Sequence, residues 1–154
     1  MSAEFEEAQV QRQLDELSGH IGRAFSEYAG SLDSEPEELD EASINEVLDR
    51  VEKQAYGPGK SGFASTDLTS ELNLAVLRAD GVVFTVAPIG ITRNIPGIFK
   101  IWGELSGKVI WLIKNLPLGY FIVLITGAKG RLIYISKIRQ KVKQGTGAGT
   151  WNEE

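Results

Sequence analysis

Cysteine is absent from the 154 residues, and histidine occurs once, as His20. The first absence excludes disulfides and thiolate metal sites and leaves the redox compartment open. The second excludes histidine-rich metal centres and leaves His20 as the one imidazole on which any acid–base triad would have to be built. No serine or threonine sits in a nucleophile motif, and most carboxylates fall in acidic helical segments where solvation accounts for them. The reading is therefore a non-enzyme, with no catalytic residue, cofactor or metal assigned.

Acid is nearly missing from the back of the chain. From Val82 to Lys143 the only carboxylate is Glu104, against ten Lys and Arg, whereas residues 1–55 hold fifteen acids and four bases. The net charge of −5 hides this division. A basic back half is expected to face an anionic surface or the chain's own acidic front.

Of two further motifs, one is excluded and the other is the lesser reading. Gly59-Lys60-Ser61 has the ending of a phosphate-binding loop, but Gln54 stands where the pattern needs glycine and the segment follows a helix instead of a strand. The twenty residues 109–128 have the length of a membrane span. Lys114 alone costs about 2.5–3.5 kcal/mol at a bilayer centre, against about 0.3–0.6 gained per large aliphatic residue, and Asn115 and Pro117 add to the penalty. A helix end followed by a buried strand is the preferred reading, with an integral membrane protein as an alternative. The acidic start MSAEFEEAQV has no positive n-region before an apolar run. The expected location is thus intracellular, either cytoplasmic or peripheral at a membrane.

What is present begins with helices. Leu14, Leu17, Ile21, Ala24 and Tyr28 recur at steps of three and four, predicting a helix over 4–28 with one apolar seam. Ser34 and Glu37 form a capping box with Pro36 in the first turn, predicting a second helix over 37–55. Residues 1–55 thus read as an acidic helical hairpin, 56–67 as a Gly/Pro/Ser-rich linker, 68–143 as a basic apolar α+β domain and 144–154 as a flexible Gly-rich tail.

Within 68–143, Asp80-Gly81 separates two apolar runs and predicts a two-residue hairpin with Ala79 opposite Val82. A second hairpin is predicted around 126–131, with Thr126 opposite Arg131, Ile125 by Leu132 and Val123 by Tyr134. Between them Ile98, Ile101, Trp102, Leu105, Val109, Leu112 and Ile113 follow helical spacing, with Lys100, Glu104 and Lys108 as a polar stripe and Pro96 and Pro117 as limits. The fold class is therefore α+β: a helical hairpin followed by a β-β-α-β-β layer with a four-stranded antiparallel sheet. Both hairpins are apolar on both faces, so the sheet needs two covers and the central helix supplies one.

The candidate binding residues follow. Lys129, Arg131, Lys137, Arg139, Lys141 and Lys143 all occupy odd positions, so an extended segment would present one cationic face to an anionic surface. Trp102, Gly103, Gly107 and Trp111 are interface candidates, the glycines because two such residues one helical turn apart suggest close backbone approach. These features predict a non-catalytic interaction and assembly module, self-associating or bound to a protein partner and peripheral at an anionic membrane. Nucleic acid is the lesser alternative: apart from Tyr134, no aromatic residue interleaves with the basic positions to stack on bases.

Overall fold

The computed structural model describes residues 7–34, 39–55, 60–69, 74–79, 82–86, 95–103, 105, 107–126, 130–137 and 144–153. Two helices, α1 (Glu7–Gly30) and α2 (Glu41–Ala55), precede eight strands. These are β1 (Lys60–Thr69), β2 (Leu74–Ala79), β3 (Val82–Val86), β4 (Ile95–Trp102), β5 (Gly107–Leu116), β6 (Gly119–Thr126), β7 (Arg131–Ser136) and β8 (Gly145–Glu153). The class is α+β, as the sequence implies, but the sheet closes on itself in the order β1-β2-β3-β8-β5-β6-β7-β4, every pair antiparallel.

Closure answers the question of the two apolar faces. Alternate residues of β4 to β7 sort into two buried clusters. Phe99, Val109, Ile113, Tyr120, Ile122, Leu124, Leu132, Tyr134 and Trp151 form one, which lines the barrel interior. The other set, including Ile98, Trp102, Ile110, Leu112, Val123, Ile125 and Ile133, points outward and packs with Leu14, Leu17 and Ile21 of α1 and with Ile44, Val47 and Leu48 of α2. The amphipathic seam of α1 lies on β5 and β6, and α2 lies on β4. Each fully buried Leu, Ile or Phe contributes about 1.5–3 kcal/mol, so this interface is a main core of the protein.

The predicted central helix is corrected to two strands. Pro96 begins no helix; it pairs with Ser65 in β4. Gly103 and Gly107, with φ of 68° and 70°, bracket the turn from β4 to β5. Left-handed backbone there ends both strands, and a Cβ on Gly107 would meet nothing within 4 Å, so conformation rather than close packing calls for glycine. The apolar spacing imitates a helix because both strands are buried on both faces, which erases the period-two signal. Pro117 and Leu118 form the turn from β5 to β6, closed by Leu116 opposite Gly119. The 109–128 segment is therefore strand, turn and strand through Thr126, and no helix among the described residues is long and apolar enough to cross a membrane.

The two predicted hairpins fare differently. β2 pairs with β3 in the predicted register, Ala79 opposite Val82 and Leu77 opposite Phe84. β6 and β7 are offset by one residue from the prediction: Ile125 faces Arg131, Leu124 faces Leu132 and Val123 faces Ile133. Thr126 causes the offset. Its amide donates to the Gly130 carbonyl at 3.0 Å, and its hydroxyl accepts from the Gly130 amide at 3.1 Å, leaving residues 127–129 as the connection.

Two segments expected to lack regular structure are strands. Part of the 56–67 linker lies in β1, which pairs with β2 and β4. Most of the 144–154 tail is β8, which bridges β5 and β3 and so closes the ring. Its alternation explains why: Gly145, Gly147, Gly149 and Trp151 share the parity facing inward, leaving Thr146, Ala148 and Thr150 exposed outside. A Cβ on Gly147 would come within 2.5 Å of the Trp111 ring, so the absent side chain is the space the indole occupies.

Candidate functional site

Two members of the cationic strip, Arg131 and Lys137, lie among the described residues. Arg131 is corrected from surface ligand to core residue: it is buried, and its guanidinium donates to Gln13 Oε1 on α1 and to the Gly130 carbonyl at 2.9 Å. The physical reason is its register. Arg131 lies opposite Trp102 on the outward face that α1 covers, and the helix supplies the polar partner that burial demands. Lys137 is half-buried just beyond β7. Lys129, Arg139, Lys141 and Lys143 lie outside the described residues.

Lys137 is nevertheless held firmly through its backbone. Its amide donates to the Pro96 carbonyl at 2.9 Å, and its carbonyl accepts from the Leu39 amide at 2.6 Å. Leu39 is buried and immediately precedes α2, whose entry is capped by Asp40, with the Ser43 amide donating to Oδ2 at 3.3 Å. The acidic helix–helix connection is thereby joined to the root of the basic connection from β7 to β8.

The four interface candidates lie at separate places in the fold. Trp102 is buried beneath the helices. Gly103 and Gly107 serve the turn described above. Trp111 projects from the inward face of β5 and packs against the interior cluster, with β8 alongside. The Thr146 hydroxyl fixes the strand pair by donating to the Trp111 carbonyl at 2.8 Å.

Sequence reasoning missed two polar features. Lys100, taken as part of an exposed stripe, is buried on the outward face of β4 and donates to Asp49 Oδ1 of α2 at 2.9 Å. Its side chain is 7% exposed and that of Asp49 58%, so solvent screens one half of the pair. The second is a groove between α1 and α2, with a volume of 80 Å³, lined by His20, Arg23, Ala24, Glu27, Arg50 and Val51. The i, i+3, i+4 and i+7 spacing of the α1 residues was legible as one helix flank; their meeting with Arg50 was not.

Among the described residues, no three His, Asp or Glu side chains stand close enough to hold a metal ion. Comparison of the chain with family models, with curated proteins and with solved structures returns no match.

Proposed function

We propose that the protein is a non-catalytic interaction module that meets an anionic surface through the connection between β7 and β8. The observation that supports this reading is the double backbone anchor that holds Lys137 beside the entry to α2; from Lys137 the sequence runs on through Arg139, Lys141 and Lys143 without an acid. Both apolar faces of β4 to β7 are spent inside the chain, so charge is what this region has to offer a partner. An anionic membrane fits better than nucleic acid, because bases require stacking aromatics that this segment lacks.

Self-association, expected from an uncovered apolar face, has no such face on the described parts of β4 to β7 to rest on, and light scattering tests it directly. The test of surface binding is flotation with phosphatidylserine vesicles at low and high salt, beside an oligonucleotide mobility shift. Salt-sensitive flotation, lost when Lys137, Arg139, Lys141 and Lys143 become Gln, supports the membrane reading. An oligonucleotide shift without flotation supports the nucleic-acid alternative, and neither signal removes the proposal. The anchored acidic connection also suggests screening: replacing Asp33, Asp40 and Glu41 by their amides should increase flotation.

A further inference from the structure

We infer that the groove between α1 and α2 binds a small phosphate-type oxyanion, a site separate from the β7–β8 connection and independent of the reading given to it. The starting point is an anomaly. Nδ1 of His20 is buried and has no hydrogen-bond partner, although buried polar atoms are nearly always paired. Such an atom has two ordinary explanations, an ordered water or a ligand.

The surroundings favour a charged ligand. Arg23 and Arg50 line the same groove from opposite helices. Arg23 makes no ion pair with any described residue, and Arg50 gives one nitrogen, Nη2, to Glu46 at 3.2 Å on the exposed surface. A guanidinium presents a planar fork of donors that matches phosphate oxygens, so two of them facing one cavity form a recognisable oxyanion arrangement. With its proton on Nδ1, the imidazole adds a third donor. The volume of 80 Å³ corresponds to several water positions, room for a phosphate group but not for a larger ligand to be enclosed.

The same groove contains its own competitor. Glu27 lines it and Glu46 holds Arg50, so an entering oxyanion meets one nearby carboxylate and a guanidinium whose charge is already shared with another. Affinity is therefore held down by these acids, and removing Glu46 should raise it. A groove filled only by water predicts no such gain.

Because His20 is the sole histidine, its side-chain ¹H–¹⁵N resonances report on this groove without ambiguity. The full chain is titrated with inorganic phosphate, with sodium chloride at matched ionic strength as control. The expected result is a saturable His20 shift with phosphate and none with chloride. Arg23→Gln and Arg50→Gln should each weaken binding by about tenfold or more, and Glu46→Gln should strengthen it severalfold. All three positions are on exposed helix surface, and circular dichroism verifies that the variants stay folded. Vesicles containing phosphatidic acid separate the two sources of the group: flotation that falls in the two arginine variants assigns it to a lipid headgroup, and a phosphate shift with flotation unaffected assigns it to a free phosphate ligand. A shift that does not saturate, that chloride reproduces, or that persists equally in both arginine variants overturns the proposal.

Discussion

The inward and outward faces of β4 to β7 are equally apolar and are satisfied in opposite ways. Inside, large side chains lie against missing ones: the Tyr134 ring occupies the position a Cβ on Gly97 would need, and Trp111 does the same at Gly147. The Tyr120 and Tyr134 rings pack with centroids 6.1 Å apart, and the Tyr120 amide donates to the buried Ser136 hydroxyl at 2.9 Å. Outside, the face keeps two buried cations, Lys100 and Arg131, and the helices bring Asp49 and Gln13 to meet them. The interior is thus specified by shape and the exterior by apolar area together with two directed polar contacts. A closed sheet can fill itself, whereas the outer face depends on the helical hairpin.

The largest effect should come from removing that hairpin. A chain lacking residues 1–55 exposes Trp102, Ile110, Val123, Ile125 and Ile133 together, a patch far beyond what a soluble monomer carries. The expected outcome is aggregation by light scattering; a soluble, cooperatively unfolding barrel would show that the outer face needs no cover.

The interior should respond next, and unequally. Gly97→Ala drives a Cβ into the Ile135 carbonyl oxygen, a backbone atom that cannot swing aside, and should cost about 1–3 kcal/mol or more in chemical denaturation. Gly147→Ala meets only the Trp111 ring and should cost less. Trp111→Leu in the same chain should recover part of that loss, which a double-mutant cycle measures as coupling. Equal costs with no coupling would refute the shape-filling account.

The smallest effect concerns the buried cations. Lys100→Met keeps the stem's volume and removes the charge, so stability should change by less than about 1.5 kcal/mol. Asp49→Asn leaves the ammonium buried with a weaker partner and should be the more damaging of the two, moderated by the exposure of Asp49. The reverse order in denaturation midpoints would mean that the ion pair, and not the covered apolar face, holds α2 in place.

How much of this was legible varied with how local the cause was. The β2–β3 register could be read because two residues, Asp80 and Gly81, set it. In the next hairpin, the glycines near 127 and 130 announced a turn, but the hydroxyl of Thr126 chose the pairing, and a one-residue offset reassigns every cross-strand neighbour. Arg131 left the strip of odd-numbered cations for the same reason: parity along an isolated strand says nothing about which face a helix will cover.

The sequence by itself determined the two amphipathic helices, the hairpin turns and the demand that an unusually apolar sheet be covered twice. Each of these follows from spacing within a few residues or from composition. Only the tertiary structure decided that the sheet covers itself, that a glycine tail supplies the closing strand, and that Lys100 and Arg131 turn outward to helices far away in the chain. Those outcomes depend on contacts between distant segments. A strand buried on both sides, or one made largely of glycine, has no local periodicity from which its neighbours can be read.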